Sequence, residues 1–255
     1  MKKMLFSLAF IGALCQSAVA QDPLQAAISG SHRSAANIAR DAARHPNETL
    51  QFFGIQNSMK VVELAPGGGW YTEILAPYLR KDGKLILAGA GNALKTKLSE
   101  SPALYDQVSI GEFNPAKKID YAAPSSVDMV LTFRNVHNWM SVNDTAAKAV
   151  FQSAFDALKS GGVFGVVEHR LPESTKHDDK GSTGYVHQSY VIALAQSVGF
   201  KLAAQFEINA NPKDNANHEG GVWALPPVLT NKEKDKEKYL AVGESDRMTL
   251  KFVKP

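Results

Sequence analysis

Residues 61–72 read Val61-Val62-Glu63-Leu64-Ala65-Pro66-Gly67-Gly68-Gly69-Trp70-Tyr71-Thr72. The segment begins as an apolar strand that carries one acid, Glu63, and a proline then interrupts the strand ladder. Three glycines follow, and helix-forming residues resume after them. Glycines allow a backbone to approach a ligand closely, and the start of a helix offers unpaired N–H groups. The order of strand, glycine turn and helix therefore predicts a cradle for a small ligand.

The residues after the glycines exclude two common ligands of such a turn. A phosphate-binding P-loop ends in Gly-Lys-Ser or Gly-Lys-Thr, whereas this turn continues as Gly69-Trp70-Tyr71. A dinucleotide fingerprint has a glycine at the position of Thr72, because helix and strand pack closely there. What remains is an acid followed by two spaced glycines, Glu63, Gly67 and Gly69. Taken alone, this pattern is also compatible with a plain tight turn.

The first 20 residues have the pattern of a secretory signal peptide. Lys2 and Lys3 precede an apolar run that is too short to span a membrane, and Ala18-Val19-Ala20 forms a small-residue cleavage site. We expect cleavage after Ala20, a periplasmic or secreted location, and no membrane anchoring after cleavage. The chain's one cysteine, Cys15, leaves with this segment. We therefore expect no disulfide and no thiolate metal site in the mature protein.

The mature chain, residues 21–255, is nearly neutral. The whole chain has 28 Lys and Arg residues and 25 Asp and Glu residues, and residues 1–20 contain two lysines and no acid, which leaves 26 against 25. This balance argues against nucleic acid as a partner. The sequence favours a single domain with a helical layer over residues 21–58 and a polar insertion over residues 209–245 before the last strand.

From residue 59 onward, apolar strand patterns alternate with helical patterns. The predicted strands cover residues 59–65, 84–89, 107–110, 127–133, 163–167, 201–208 and 247–252. The predicted helices cover residues 31–44, 48–53, 70–80, 93–105, 143–158 and 185–198. This alternation predicts an α/β fold, a doubly wound Rossmann-like sheet that is mostly parallel and has helices on both faces.

Polar residues follow two of the predicted strands at the points where these strands end. Strand 127–133 is followed by Arg134-Asn135-Val136-His137-Asn138-Trp139, and strand 163–167 by Glu168-His169-Arg170. In an open sheet, ligands bind outside the carboxyl ends of the strands. We therefore expect Asn135, His137 and His169 to share one crevice with the glycine turn.

These three residues are the catalytic candidates, because histidine is the side chain that most often serves as a general base. The alternative for each histidine is a structural role, in which it hydrogen-bonds the backbone at a strand end. With Glu168, the two histidines also offer three side chains of the kinds that bind metals. No fixed ligand spacing supports a metal, and no metal site is predicted.

Four segments together resemble the class I S-adenosylmethionine-dependent methyltransferases, and in particular a bacterial group of predicted methyltransferases that often carry signal peptides. The segments are residues 62–73, residues 131–139, residues 158–163 with 167–170, and residues 209–214. The resemblance covers nearly the whole mature chain. It implies a seven-stranded sheet whose last two strands form an antiparallel hairpin.

The resemblance also implies S-adenosylmethionine (SAM) as the cofactor, held on the glycine turn. The binding residues that it implies are Glu63, Ala65, Pro66, Gly67, Gly68, Gly69, Trp70, Tyr71, Glu112 and Asn135. Glu63 is expected to face the cofactor's amino group through water, and Glu112 its adenine amino group. The sequence departs from the family pattern at Ala65, where a glycine is usual, and at Gly89, where an acid usually binds both ribose hydroxyls. The second departure predicts weaker or altered cofactor binding.

Two functions of different classes are compatible with these observations. The first is a methyltransferase that uses SAM on an unidentified small-molecule acceptor. The second is a non-catalytic exported binding protein on the same fold, suggested by Gly89 and by the signal peptide, because SAM is made in the cytoplasm. A metal-dependent hydrolase at the two histidines is a third alternative.

Overall fold

Nine strands form one sheet in the part of the chain that the computed structural model describes, residues 22–255. The strands are β1 (Lys60–Leu64), β2 (Lys84–Ala88), β3 (Ser109–Asn114), β4 (Lys118–Asp120), β5 (Val127–Phe133), β6 (Leu158–Leu171), β7 (Val186–His187), β8 (Lys201–Gln205) and β9 (Arg247–Val253). Their order across the sheet is β4-β3-β2-β1-β5-β6-β9-β8, and the short β7 pairs with β6. The predicted signal peptide, with its cysteine, lies outside the described residues.

The pairing directions confirm the predicted fold class. Strands β3, β2, β1, β5 and β6 are parallel, whereas β9 is antiparallel to both β6 and β8. The short strands β4 and β7 have no counterpart in the prediction. The chain leaves β1 toward β2 and later returns to β5 on the other side of β1. The crevice at the ends of β1 and β5 is therefore the topological switch point, where open sheets bind ligands.

Helices cover both faces of this sheet. They are α1 (Pro23–Ile28), α2 (Ala35–Ile38), α3 (Asp41–Arg44), α4 (Pro46–Phe53), α5 (Thr72–Leu79), α6 (Asn92–Glu100), α7 (Pro102–Tyr105), α8 (Val136–Met140), α9 (Ala146–Ala157), α10 (Gln188–Ser197) and α11 (Lys236–Val242). Val62 packs in the core with α9, and its neighbour Val61 packs in the core with α1, α4 and α5. Side chains alternate along a strand, so burial on both faces produces the mostly apolar runs of β1, β2 and β5.

Two predicted helices are interrupted. In place of a helix over residues 31–44 there are two single turns, α2 and α3. Arg33, before α2, binds Asp41, and Arg40, between the two turns, binds Glu244 across the fold. The predicted helix over residues 93–105 is divided into α6 and α7, because Pro102 disfavours a helical conformation at the residue before it. Within residues 22–255, no helix is both long enough and apolar enough to cross a membrane.

The insertion over residues 209–245 is fixed to the sheet by buried polar side chains. Asn209 donates to two threonine hydroxyls, at 3.0 and 2.9 Å, on α4 and β9. Asp214 accepts hydrogen bonds from the Tyr185 hydroxyl at 2.9 Å and from the backbone N–H of Asp246 at 2.8 Å. Its other oxygen lies 2.7 Å from Nε2 of His218. The segment 209–214 therefore anchors the insertion.

Replacing Asp214 by Ala is expected to lower the free energy of unfolding by about 2–3 kcal/mol. The Tyr185 hydroxyl and two backbone N–H groups lose their acceptor while remaining largely buried. Urea denaturation measures this loss. Asp144→Ala is the matched control, because the Asp144 side chain is 94% exposed. Equal stabilities of the two variants would contradict the anchoring role.

Candidate functional site

A cleft of about 360 Å³ opens at the carboxyl ends of β1, β5 and β6, a volume within the range of small-ligand pockets. Its walls come from the glycine turn, the segment after β5, the N-terminal helical layer and the insertion. The lining residues include Asn37, Arg40, Arg44, Ala65, Pro66, Gly67, Gly68, Trp70, Arg134, Asn135, His137, His169, Trp223, Glu244 and Ser245. The structure therefore places the three catalytic candidates in one crevice with the glycine turn.

The turn after β1 presents its backbone to the cleft. Ala65 and Gly67 have left-handed φ angles of +47° and +58°. A Cβ added at Gly67 or Gly68 would meet no atom of the described residues within 4 Å. At Gly69, where φ is +83°, an added Cβ would lie 2.6 Å from Cδ1 of Leu94 in α6. Gly67 and Gly68 thus border open space, whereas Gly69 is required for packing.

Glu63 lies beneath the turn. It is 2% exposed, and it accepts a hydrogen bond of 2.7 Å from the hydroxyl of Thr72. Burial raises the pKa of Glu63 to about 8, against the opposing effect of the hydrogen bond from Thr72. The carboxyl group is therefore largely protonated at neutral pH. It borders a small cavity that Ala65, Pro66 and Asn135 also line. Its contact with a cofactor amino group stays a prediction.

His137, in α8, faces the buried carboxylate of Glu168 in β6. Nδ1 of His137 is 3.1 Å from Oε1 of Glu168. The same carboxylate accepts hydrogen bonds from the backbone N–H groups of Val136, His137 and His169. The oxygens of this carboxylate act as acceptors, so Nδ1 of His137 is the donor, and Nε2 is the ring nitrogen that remains for a ligand. A histidine oriented in this way can take a proton from a ligand in the cleft.

His169 has a different environment from His137. Its Nδ1 lies 2.5 Å from the hydroxyl of Ser245, and its ring centroid is 5.5 Å from that of His137. Burial, followed by the positive charge of Arg134, lowers the pKa of His169 well below its ordinary value. His169 is therefore neutral, which suits it to hydrogen bonding. Its predicted catalytic role stays a prediction.

His137, Glu168 and His169 also form a group that could hold a metal ion, since one ligand atom from each lies within 4.8 Å of the others. However, both oxygens of Glu168 already accept hydrogen bonds. One accepts from the backbone N–H of Val136, and the other from the ring of His137. The geometry therefore supports an orienting role for Glu168 better than a ligand role.

Three predicted site residues hold the turn in position. The amide nitrogen of Asn135 lies 3.2 and 3.3 Å from two carbonyl oxygens at the end of β1. The indole N–H of Trp70 donates to the carbonyl of Asn37 at 3.0 Å. Tyr71 is buried and stacks on Phe133, with ring centroids 3.5 Å apart. Asn135 thereby ties the ends of β5 and β1 together on the cleft.

Glu112 and Gly89 lie outside the lining of this cleft. Glu112 is exposed and binds Lys118 across the β3–β4 pair at 2.6 Å. Gly89 follows β2 with a φ of +84°, and a Cβ added there would lie 3.1 Å from Phe113. An acid at this position would be strained and would displace Phe113. The backbone conformation and the contact with Phe113 therefore favour glycine over an acid at position 89.

The charged residues that line the cleft were not among the site residues predicted from the sequence. Arg40 and Arg44 come from the N-terminal helical layer, Arg134 from the end of β5, and Glu244 from the insertion. Nε of Arg40 lies 2.6 Å from the Glu244 carboxylate, and Nε of Arg44 lies 3.7 Å from it. Only Arg134 had a signal in the sequence, because it directly follows a predicted strand.

No protein-family model and no curated protein matches this chain. Solved structures match it at low identity. The [4+2]-cyclase SpnF has a TM-score of 0.62 at 13% identity, covering 91% of this chain and 92% of its own. A SAM-dependent methyltransferase from Aquifex aeolicus has a TM-score of 0.54 at 15% identity, covering 74% and 93%. The CcbJ methyltransferase from Streptomyces caelestis has a TM-score of 0.53 at 14% identity, covering 84% and 90%.

The chain therefore has the Rossmann-like fold of these proteins, as its sequence predicted. Two of the three are methyltransferases by name and one is a cyclase by name. Enzymes of different reactions thus share this fold.

Proposed function

We propose that this chain is a SAM-dependent methyltransferase that acts on a small-molecule acceptor. The observation that carries the proposal is the carboxylate-oriented His137 in the same cleft as the open turn at Gly67 and Gly68. The methyltransferases that have this fold support the same class of reaction. Because the cyclase has it too, the proposal depends on the site rather than on the fold.

The turn fits the proposed cofactor because its backbone is open to the cleft at Gly67 and Gly68. Residues 65–71 would hold SAM, with Asn135 fixing the turn. When bound, SAM supplies a methyl group on a positively charged sulfur. Gly89 offers the ribose no carboxylate, so we expect an affinity roughly ten- to hundredfold below that of a site with the usual acid. The contacts of Glu63 and Glu112 with the cofactor stay predictions.

His137 would act as the general base toward an acceptor hydroxyl or amine. Its Nε2 would take the acceptor's proton while the acceptor atom forms its bond to the methyl carbon. SAM held on residues 65–71 would supply the methyl group, and its sulfur would keep the electron pair of the broken sulfur–carbon bond. Glu168 keeps the proton of neutral His137 on Nδ1 and stabilises the positive charge of the protonated ring. The walls of the cleft position the acceptor, which is the main requirement of an in-line transfer.

Calorimetry with the purified protein tests the cofactor part of this proposal. We expect both SAM and S-adenosylhomocysteine to bind at millimolar concentration or below. The absence of binding heat for both compounds at millimolar concentration would refute the proposal. Transfer of labelled methyl groups to a cell-envelope extract separates an enzyme from a non-catalytic binding protein, since only an enzyme labels the extract.

Gly68→Val is expected to weaken S-adenosylhomocysteine binding by roughly ten- to hundredfold, because its side chain enters the open space at the turn. The backbone at Gly68 does not have a left-handed φ, so we expect an unchanged Tm. Gly69→Ala is the contrasting variant. It should lower the Tm, because its Cβ meets Leu94. Wild-type affinity in Gly68→Val would show that the ligand does not lie on this turn.

We propose a periplasmic or secreted location for this activity. The proposal rests on the sequence of residues 1–20, which lie outside the described residues. The mature N-terminus after Ala20 can be read by N-terminal sequencing of the protein purified from its source. A chain that retains residues 1–20 would contradict export by this route.

A further inference from the structure

Three arginines that line the cleft, together with the buried Arg247, lie around a single carboxylate. Arg40, Arg44 and Arg247 all lie within 4.0 Å of Glu244, at 2.6, 3.7 and 3.3 Å. Arg134 lines the same cleft and interacts electrostatically with the cluster. Burial opposes ionisation of Glu244, but the hydrogen bond from Arg40 and the charges of Arg247 and Arg44 hold its pKa below the ordinary value. The single negative charge of Glu244 is thus shared by three guanidinium groups.

Arg44 is buried more deeply than Arg40 or Arg134. Its side chain is 2% exposed, and its three guanidinium nitrogens are buried with no hydrogen-bond partner among residues 22–255. Its guanidinium lies over the ring of Trp70, 4.5 Å from the ring centroid, which offsets part of the loss of hydration. Burial, followed by the charges of Arg134 and Arg40, lowers the pKa of Arg44 to about 8. Buried charges are normally paired, so this arrangement indicates a missing counter-charge.

Arg134 presents a second guanidinium at the cleft. Its backbone has a φ of +63°, and its N–H donates to the carbonyl of Val167 at 2.7 Å. The side chain is half-buried, and within the described part of the chain it has no carboxylate within 4.0 Å. It lies three residues before His137 in the segment after β5.

The cofactor of the proposed function does not supply the missing negative charge. Its carboxylate is balanced by its own amino group, and its sulfonium adds a further positive charge. Even when the buried Glu168 is counted with Glu244, the arginines outnumber the carboxylates by four to two. The excess positive charge therefore has to be met by the other ligand of the cleft.

Resting on the proposed function, we propose that the methyl acceptor carries an oxyanionic group, a carboxylate or a phosphate, that binds at Arg134, Arg44 and Arg40. The planar guanidinium group has N–H donors in a fork that matches the oxygens of such anions. Arg134 and His137 lie on the same short segment, so one acceptor molecule can place its anion on the arginine and its reactive O–H or N–H on the histidine. The anion anchors the acceptor, and the base acts at its other end.

Calorimetry with two anionic probes, phenyl phosphate and benzoate, tests this site directly and needs no turnover. Each probe is titrated into the protein alone and into the protein saturated with S-adenosylhomocysteine. We expect binding of at least one probe in both cases, and the tighter probe identifies the group as phosphate or carboxylate. Arg134→Gln and Arg44→Met are expected to weaken this binding by roughly tenfold or more. Arg80→Gln is the matched control, because Arg80 binds Asp106 at the surface outside the cleft.

Thermal unfolding separates ligand binding from a structural role of Arg44. Without ligand, Arg44→Met is expected to keep or raise the Tm, because it removes a buried guanidinium that makes no hydrogen bond within residues 22–255, while Glu244 keeps its ion pairs with Arg40 and Arg247. A lower Tm in Arg44→Met together with full probe binding in Arg134→Gln would assign the cluster to structure and overturn the proposal.

Two further outcomes of the calorimetry overturn the proposal. One is the absence of binding for both probes. The other is competition between the probes and S-adenosylhomocysteine, which would assign the arginines to the cofactor's own carboxylate. The proposed function fails separately, when S-adenosylhomocysteine does not bind. Gly68→Val separates cofactor binding from anion binding within one protein. We expect this variant to lose affinity for S-adenosylhomocysteine and to keep its affinity for the anionic probes.

Discussion

Replacing His137 by Gln is expected to lower kcat for methyl transfer by roughly 10²- to 10⁴-fold, the usual contribution of a general base. The amide of Gln can still donate a hydrogen bond toward Glu168, but it cannot take a proton from the acceptor. Binding of S-adenosylhomocysteine should be unchanged, because the glycine turn and its supports stay intact. The measurement is the rate of labelled methyl transfer to acceptors in a cell-envelope extract.

His177→Gln is the control for this measurement, since His177 lies outside the lining of the cleft and is expected to keep the wild-type rate. Glu168→Gln tests the orienting carboxylate and is expected to lower kcat as well, because the protonated ring loses its counter-charge. A wild-type rate in His137→Gln would show that the acceptor loses no proton to this residue. The proposed base would then have to be abandoned.

The sheet could be predicted from the sequence because burial on both faces leaves a direct mark on it. β1, β2 and β5 are mostly apolar runs, and each is followed by turn residues. The interrupted helices could not be predicted in the same way. Pro102 is a visible signal for the break between α6 and α7. The break between α2 and α3 has no such signal, and Arg40, which lies between them, pairs with Glu244, 204 residues away.

The candidate site, too, could be predicted only in part from the sequence. The grouping of His137, His169 and the glycine turn follows from a rule of topology, because the ends of neighbouring parallel strands meet at one edge. The arginine cluster follows from no local pattern, because it joins the N-terminal helical layer to the insertion. The sequence predicts only a polar insertion, yet the buried Asn209 and Asp214 attach it to the sheet, and it forms a wall of the cleft.

Glu63→Gln is expected to raise the free energy of unfolding at pH 8.5 by at least about 1 kcal/mol and to leave it nearly unchanged at pH 4. Burial raises the folded-state pKa of Glu63 from 4.5 to about 8. Between these pH values the folded protein keeps a proton that the unfolded chain releases, so the stability of the wild type falls as pH rises through this window. A shift of this size corresponds to at most about 5 kcal/mol. Gln does not titrate, so the variant loses this slope.

Urea denaturation at pH 4, 6 and 8.5 measures the slope, with the exposed Glu219→Gln as control. Thr72→Val sharpens the test. It removes the hydrogen bond that partly stabilises the Glu63 carboxylate, which raises the folded-state pKa further, so its stability should fall by more between pH 4 and 8.5 than that of the wild type. A contact between Glu63 and the cofactor's amino group would add a second effect. Glu63→Gln would then bind SAM more weakly although it is more stable, because the ionised carboxylate would favour ligand binding and destabilise the fold. Parallel pH profiles of Glu63→Gln and the wild type would contradict the raised pKa.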